Sequence, residues 1–240
     1  MSGPSALRVT GLGKSYGSLR AVAELSFSVE PGEIFGILGP NGSGKTTTLD
    51  CILGTRSRDA GEVSVLGLNP IAERRRLFAL VGVQFQNSAF QPGIRVGELC
   101  EFTAALYNSR PEWREELKRF DIEKRLDTPV ESLSGGERQK LSILLACLHG
   151  PKLVFLDELT TGLDPLARRA TWGMIKAMQR EGVTVVLTSH FMDEVEQLCG
   201  RCLVLKEGRK VAEGSVEEVR TQGGGGNLEE SYITLVGGAA

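Results

Sequence analysis

The sequence predicts an α/β fold with a parallel sheet and an inserted helical lobe. A short apolar run, Ile34–Leu38, stands directly before a glycine-rich loop and a helical pattern over 46–53, which indicates a buried strand followed by a helix. Two further apolar runs, 153–156 and 183–188, flank the helical pattern Pro165–Arg180. This strand–helix–strand order is typical of a parallel sheet covered by helices on both faces.

The first part of the chain carries strand patterns. Residues 7–9 and 25–29 are predicted to be short strands joined by a turn-rich segment, 10–19. Residues 61–66 alternate between apolar and polar side chains, as an edge strand does, and 80–85 form another apolar strand.

The helical lobe is predicted over about 87–132. Residues 96–107 and 111–126 have helical patterns. Pro111 is placed near a helix start, where its fixed φ and missing N–H are tolerated. We therefore expect a helical insertion between the strands of the core.

The domain boundary is expected near residue 222. A chain of 240 residues suits one large α/β domain, or a domain with a small lobe. The glycine run 223–226 predicts a flexible break. We therefore expect one large domain over 1–222 and a C-terminal tail within 223–240.

The composition is that of an ordinary globular protein, with 41% hydrophobic residues, 24% charged residues and a formal net charge of −2. This balance gives no basic footprint, so nucleic acid is not an expected partner. No apolar run approaches the roughly 18 to 20 residues that a spanning helix needs, and the first six residues do not resemble a signal peptide. The expected location is the cytoplasm, without direct membrane insertion.

The five cysteines, Cys51, Cys100, Cys147, Cys199 and Cys202, are odd in number and scattered, which predicts free thiols. Cys199 and Cys202 match C-x-x-C, a pattern of zinc or redox sites. A zinc site would need a second ligand pair, for which only His149 and His190 are available. We therefore favour a helix end that runs into a strand at 202–205.

A phosphate-binding loop is the strongest local signal. The run Gly39-Pro40-Asn41-Gly42-Ser43-Gly44-Lys45-Thr46 matches G-x-x-x-x-G-K-[ST]. Such glycines let backbone N–H groups surround phosphate oxygens, the lysine supplies charge for the β- and γ-phosphates, and the threonine hydroxyl suits Mg²⁺. A glycine-rich turn is the alternative in a chain with 30 glycines, but the preceding strand and following helix favour nucleotide binding. The loop alone does not separate a kinase, a GTPase, a helicase and a transporter motor.

Two further segments carry candidate chemistry. The strand at 153–156 leads into Asp157, suited to hold Mg²⁺ through its waters, and Glu158, suited to polarise an attacking water. The alternative is a strand that ends in solvated acids. Ser134 and the two glycines after it precede a helical pattern over 137–148, so they form a second helix start with a preference for anions. The alternative is an ordinary serine-capped helix.

Residues 133–140, Leu-Ser-Gly-Gly-Glu-Arg-Gln-Lys, closely resemble the signature of ABC-type ATPases. Residues 39–46 then resemble the family's Walker A loop, and 153–158 resemble Walker B with its catalytic glutamate. The resemblance covers about 7–219 with every motif in order. It implies a P-loop ABC ATPase core with a mainly parallel sheet, an antiparallel β lobe and an inserted helical lobe, which binds ATP and Mg²⁺.

Four further residues match family motifs one by one. Gln86 resembles the Q-loop glutamine, although Gln84 competes for that role; Asp164 lies in a D-loop-like run, and His190 resembles the switch histidine. Tyr16 stands where the family places an aromatic residue that stacks on adenine. Taken alone, Tyr16 would more often be a packed turn residue and His190 a strand-end histidine.

The resemblance implies a full set of site residues. The catalytic residues would be Glu158, His190, Gln86 and Asp164. The nucleotide would be bound by Tyr16, Gly39, Pro40, Asn41, Gly42, Ser43, Gly44, Lys45, Thr46, Thr47, Ser134, Gly135, Gly136 and Glu137. Mg²⁺ would be held by Thr46, Gln86 and Asp157. The family usually has proline after the catalytic glutamate, and Leu159 stands there instead, which is expected to loosen the turn that leads to Asp164.

The resemblance also implies partners. In this family the signature faces the ATP held by a second copy, so a homodimer is expected, together with integral membrane permease subunits at the inner face of the membrane. A docking groove is expected near Gln86 and 87–107, with Phe85, Phe90, Phe102 and Tyr107 as candidates; core packing is the alternative for each.

The branch of the family is expected to be export of drugs, antibiotics, polysaccharides or lipids. The helical lobe is short, 61–67 resembles the Gly-x-Val-x-Val-x-Gly stretch of export ATPases, and 227–235 resembles their C-terminal tail. The alternatives are an importer ATPase, an ATPase that regulates a cell-envelope complex, and a degenerate partner in a heterodimer.

Overall fold

The computed structural model describes residues 5–86, 90–107 and 112–237. Pro111 and parts of the predicted helical lobe, 87–89 and 108–111, therefore lie outside the described residues. In chain order the elements are β1 Leu7–Tyr16, β2 Leu19–Val29, β3 Ile34–Leu38, α1 Lys45–Leu53, β4 Ala60–Val65, α2 Arg74–Phe78, β5 Val81–Gln84, α3 Val96–Ala105, α4 Trp113–Arg119, α5 Gly135–Cys147, β6 Leu153–Asp157, α6 Pro165–Arg180, β7 Thr184–Ser189, α7 Met192–Leu198, β8 Arg201–Lys206, β9 Arg209–Ser215, α8 Val216–Gln222 and α9 Leu228–Gly237, with short 3₁₀ turns at Glu123–Arg125 and Val130–Ser132.

The smaller sheet is antiparallel, with strand order β2-β1-β4. The expected edge strand is confirmed as β4. The turn-rich segment expected over 10–19 is wrong, because β1 continues to Tyr16 and only a two-residue turn separates it from β2. The pairing shifts between Val9 and Leu12, where Gly11 has a φ of 60°. This bulge interrupts the two-residue periodicity that marks a strand.

The larger sheet has the order β5-β6-β7-β3-β8-β9, and all neighbours are parallel except β8 and β9. Alternate residues of β3 and β6 enter two separate cores. Phe35 and Phe155 pack toward α1 and the smaller sheet, whereas Leu38 and Leu156 pack toward the helices on the other face. Both faces of the sheet are therefore covered, as predicted. Burial of each such side chain contributes about 1.5–3 kcal/mol to stability.

The helical lobe packs against the core through α5. The buried faces of α3 and α4 include Cys100 and Leu117. Arg119 donates two hydrogen bonds of 2.5 Å to the carboxylate of Glu181, which follows α6 in the core. The helix expected over 111–126 is shorter in the structure, since Asp121 has a φ of 52° that ends it.

The C-terminal segment, over which a flexible break is expected, makes specific contacts in the structure. Residues 223–226 form a hydrogen-bonded turn, in which the Gly223 N–H donates to the Val219 carbonyl at 3.1 Å. The following α9 packs on α8 and buries Leu228 and Ser231. A Cβ on Gly223 would collide with Ser231, so this glycine permits close packing of α9 against the end of α8.

Within the described ranges, no helix has the length and apolar character needed to cross a membrane.

Candidate functional site

The glycine-rich loop lies between β3 and α1 and is shaped by two glycines. Gly44 precedes α1 with a φ of 104°, a conformation that residues with a Cβ rarely adopt. A Cβ at that position would also strike the Ala21 carbonyl oxygen, and a Cβ on Gly39 would strike the Ser43 hydroxyl. The backbone therefore closes tightly over the first turn of α1, where helix N–H groups favour an anion.

Lys45 is held inside this loop. Its ammonium donates to the carbonyl oxygens of Gly39 at 2.8 Å and Pro40 at 3.2 Å. It also pairs with Oε1 of Glu158 at 3.3 Å, and the two side chains are only 4% and 9% exposed. The loop and the end of β6 therefore share one buried cation.

Asp157 ends β6 among hydroxyl groups. Thr46 Oγ1 donates to its Oδ2 at 3.1 Å, and Thr188 Oγ1 donates to its Oδ1 at 2.5 Å. Burial raises the pKa of Asp157, while the hydrogen bonds from Thr188 and Thr46 oppose that rise. A carboxylate beside a threonine hydroxyl next to a phosphate loop is the oxygen donor set that Mg²⁺ prefers, so these residues fit that ion.

Glu158 is the point on which three other side chains converge. Gln86 Nε2 donates to its Oε2 at 2.8 Å, His190 Nδ1 lies 3.7 Å from its Oε1, and Lys45 lies against the same oxygen. Its backbone N–H donates to Thr188 Oγ1 at 3.0 Å, and its φ is 49°. Positive φ is uncommon for a residue other than glycine and concentrates at functional sites.

Gln84 and Gln86, the two candidates for the Q-loop position, have different surroundings. Gln84 is buried and donates to the Phe85 carbonyl at 2.7 Å, whereas Gln86 reaches Glu158. The geometry therefore favours Gln86 for the role expected of the Q-loop residue. Asp164 is not in this group: it caps α6 by accepting from the N–H groups of Leu166 and Ala167 at 2.9 and 3.1 Å.

A cleft of about 660 Å³ lies over the loop, a volume typical of small-molecule sites. Its lining residues are Tyr16, Asn41, Gly42, Gly44, Lys45, Thr46, Thr47, Gln86 and Glu158, together with Leu19, Arg20, Ala21, Glu207 and Gly208. The last five were missed from the sequence. They come from the β1–β2 hairpin and the β8–β9 turn, and the Gly208 N–H joins that turn to the loop by donating to the Ser43 carbonyl at 3.0 Å.

Of the expected nucleotide-binding residues, Gly39, Pro40 and Ser43 support the loop but do not line the cleft. Ser43 is buried and its hydroxyl has no hydrogen-bond partner within the described chain. Tyr16 is partly exposed at the cleft rim, with the Lys14 ammonium and Arg56 guanidinium 5.5 and 5.4 Å from its ring centre. These cations attract the ring face and restrain the aromatic side chain.

The start of α5, at Ser134, lies outside the cleft over the glycine-rich loop. Ser134 caps α5 by accepting from the Glu137 N–H at 3.3 Å, and Glu137 accepts in return from the Ser134 N–H at 3.0 Å. The Ser134 backbone and the Arg125 guanidinium lower the pKa of Glu137. None of the described residues 134–137 lines the cleft over the loop; Gly135 instead lines a separate depression together with 161–163.

An apolar groove lies on the helical lobe, about 600 Å³ in volume, and Phe90, Leu99 and Phe102 are among its lining residues. Phe102 is 63% exposed, and Leu106, one helical turn further, is 67% exposed. Tyr107 differs from these: its ring stacks on His149 with the centres 4.1 Å apart, which packs the lobe against the segment between α5 and β6.

Leu159, the departure from the family pattern, is 1% exposed and belongs to the core that faces the helices. The residues after it form a turn in which the Leu163 N–H donates to the Thr160 carbonyl at 3.2 Å. Looseness of this turn stays a prediction.

Cys199 and Cys202 are free and buried, and burial raises the pKa of both thiols. In the part of the chain that the structure describes, no group of three histidine, cysteine or acidic side chains is arranged to hold a metal ion.

Comparison with known proteins gives a consistent set of relatives. Residues 22–161 match the family described as ABC transporter. The chain is 39% identical over 233 residues to the Nod factor export ATP-binding protein I of Ralstonia nicotianae, covering 94% of this chain and 72% of that protein. It is 43% identical over 208 residues to the protein of the same name from Paraburkholderia xenovorans, covering 84% and 68%.

Solved structures agree with this. The structure of an ATP-binding subunit of an ABC transporter superposes with a TM-score of 0.87 at 27% identity, covering 96% of this chain and 99% of that one. The structure of cbiO1 from Clostridium perfringens, part of the ABC transporter complex cbiONQ, superposes with a TM-score of 0.78 at 27% identity, covering 91% and 96%.

Proposed function

Because the chain belongs to the ABC transporter family, we propose that it is the ATP-hydrolysing subunit of a membrane transporter that exports its substrate. The observation that carries the catalytic part is the convergence of Gln86, His190 and Lys45 on Glu158, directly beside the phosphate loop. The export direction is supported by relatives that are named as export ATP-binding proteins.

In the first step of the proposed mechanism, Lys45 leaves the Glu158 carboxylate and binds the phosphates of ATP. The triphosphate enters the loop, and the lysine ammonium turns from Glu158 to the β- and γ-phosphates. Glu158 then orients and polarises the attacking water, while Gln86 and His190 hold its carboxylate in place. Mg²⁺ bound with ATP would neutralise phosphate charge, and Thr46, Gln86 and Asp157 would hold it.

The variant Glu158→Gln tests the assignment of the base. It keeps the size of the side chain and removes the carboxylate, so hydrolysis should fall by about 10²- to 10⁴-fold. Binding of a fluorescent ATP analogue should persist, because the loop is unchanged. The matched control is Glu62→Gln, an exposed glutamate on β4. Hydrolysis by the Glu158 variant at the rate of the control would refute the assignment.

We further propose that two copies complete each other's sites. Ser134 and Gly135 are exposed and stand outside the cleft over the loop, so their helix start is free to bind the γ-phosphate of an ATP held by another chain. ATP then joins two surfaces, and its hydrolysis releases them.

Light scattering after gel filtration tests this proposal. The Glu158→Gln variant with ATP and Mg²⁺ should have the mass of a dimer. Adding Lys45→Ala to it should give a monomer, since the phosphate contact is lost. A monomeric Glu158→Gln variant under conditions where it binds ATP would contradict the proposal.

The proposed membrane partner docks in the apolar groove of the helical lobe, which keeps the subunit at the inner face of the cell membrane. Exposed Phe102 and Leu106 support this, because contiguous apolar surface marks interaction sites. Phe102→Glu should release the chain from membranes in cell fractionation and leave its own ATP hydrolysis intact. Ile71→Glu is the control, since Ile71 is also an exposed apolar residue but lies outside the helical lobe. Equal release by both variants would refute the groove.

The direction of transport has its own test. Inside-out vesicles that contain the chain with its membrane subunit should accumulate substrate when ATP is added outside. ATP-driven loss of substrate from preloaded vesicles would indicate import instead.

A further inference from the structure

Glu194 is an unusually buried acid in the first turn of α7, with 1% exposure. No lysine, arginine or histidine within the described ranges forms an ion pair with it at 4 Å or less. Charged side chains are almost never fully buried unless paired, since losing water costs several kcal/mol per ion. The contacts that Glu194 makes instead should therefore explain its position.

These contacts come from three different segments. Trp172 Nε1 donates to Glu194 Oε1 at 3.3 Å. Burial raises the pKa of Glu194, and the Ser189 and Thr160 hydroxyls are close enough to oppose that rise. Thr160 is fully buried, and its hydroxyl has no hydrogen-bond partner among the described residues, so the nearby carboxylate is the polar group that it faces. The carboxylate thus accepts a hydrogen bond from an indole and lies near two hydroxyls.

Each of these residues lies on a segment that carries a proposed site residue. Thr160 follows Glu158 by two positions, Ser189 directly precedes His190, and Trp172 lies on α6, the helix that Asp164 caps. Ser189 is held in turn, since its hydroxyl accepts from the Phe191 N–H at 3.0 Å. One buried carboxylate therefore lies between the segments that carry the proposed base and the proposed switch histidine.

We propose that Glu194 is a positioning residue for ATP hydrolysis, which fixes the loop after Glu158 relative to the strand end that carries His190. His190 Nδ1 lies 3.7 Å from Glu158 Oε1, just beyond hydrogen-bond distance. Catalytic groups must be held within about 0.5 Å of their productive geometry, so a small shift of either segment changes turnover. This inference rests on the roles proposed for Glu158 and His190.

The test compares turnover with nucleotide binding. Glu194 does not line the cleft, so Glu194→Ala should lower kcat by about 10- to 100-fold, the cost of misplacing a catalytic group by about 1 Å. KM and the affinity for a fluorescent ATP analogue should change by no more than about twofold. Glu194→Gln keeps an acceptor oxygen and should recover part of the lost kcat.

Two further variants keep the test decisive if Glu194→Ala does not fold. Trp172→Phe removes the Nε1 donor and retains one aromatic ring, so kcat should fall by a larger factor than the affinity for the ATP analogue. Glu196→Ala, an exposed glutamate on the same helix, is the control and should hydrolyse ATP as the wild type does.

Glu158→Gln in the same assay separates the two proposals. If it still hydrolyses ATP, the proposed base is wrong whatever Glu194 does. If it is inactive while Glu194→Gln and Trp172→Phe both keep the wild-type kcat, the positioning role of Glu194 is overturned. If Glu194→Ala lowers the ATP affinity and the thermal midpoint together with kcat, the positioning role is also overturned, because such a result would indicate a structural role only.

Discussion

Thr188 offers a sharp test of how the end of the sheet holds the two acids. Its hydroxyl donates to Asp157 Oδ1 at 2.5 Å and accepts from the Glu158 N–H at 3.0 Å, and the residue is 0% exposed. Thr188→Val has nearly the same shape but lacks the hydroxyl. It therefore removes both hydrogen bonds without creating a cavity.

The size of the effect follows from the two bonds. A hydrogen bond to a charged group contributes about 1.5–3 kcal/mol, and one between neutral groups about 0.5–1.5 kcal/mol. Thr188→Val should therefore lower the free energy of unfolding by about 2–4.5 kcal/mol. In a chain of this size, 1 kcal/mol corresponds to about 2–4 °C in the thermal midpoint, which gives a decrease of roughly 4–18 °C.

Urea unfolding followed by circular dichroism measures this difference. Thr48→Val is the matched control, because Thr48 is also 0% exposed but its hydroxyl has no hydrogen-bond partner among the described residues. That variant should lose less than about 1 kcal/mol or gain stability, since a buried unpaired hydroxyl is unfavourable. Equal effects of the two substitutions would refute the assignment of the Thr188 hydrogen bonds.

Three further predictions concern other parts of the chain. Burial lowers the pKa of His149 from its ordinary value of 6.5. The unfolded state therefore binds more protons, and the free energy of unfolding should fall as the pH drops below about 6.5. His149→Phe keeps the aromatic stack on Tyr107 and should weaken this pH dependence, measured by denaturant unfolding between pH 7.5 and 5.5. Deletion of 228–240 should lower the thermal midpoint, because α9 buries Leu228; an unchanged midpoint would restore the picture of a loose tail. Lys45→Met and Glu158→Gln should be non-additive by about 1–3 kcal/mol in unfolding free energy, since each removes the same buried pair.

Most of the core could be predicted from local patterns. The apolar runs at β3, β6 and β7 are fully buried in the structure, and such runs identify central parallel strands without long-range information. The bulge near Gly11 was missed because the pairing shift depends on β2 and β4, which lie elsewhere in the sequence. The close contact of Gly223 with Ser231 was missed for a similar reason: a glycine required for packing and a glycine in a linker have the same local pattern.

In the candidate site, too, local motifs could be predicted from the sequence and long-range contacts could not. Motif spacing alone indicated Lys45, Asp157 and Glu158, because phosphate and metal chemistry require those residue types after particular strands. Thr188 and Glu194 belong to no motif considered in the sequence, since their importance comes from hydrogen bonds to residues more than 20 positions away. Arg20 and Glu207 were missed because two hairpin turns bring them to the cleft only in the folded chain.

The pair formed by Lys45 and Glu158 gives a physical reason why binding and hydrolysis should be linked. Both side chains are buried, so each charge needs the other or a substitute for it. In the proposed mechanism, the phosphates of ATP replace the carboxylate as the anion beside Lys45, and Glu158 loses its cation. In that mechanism, Glu158 is then free to accept a hydrogen bond from the attacking water, so binding of the triphosphate would release the base. Gln86 and His190, which face Glu158 from other segments, would then orient that carboxylate toward the water.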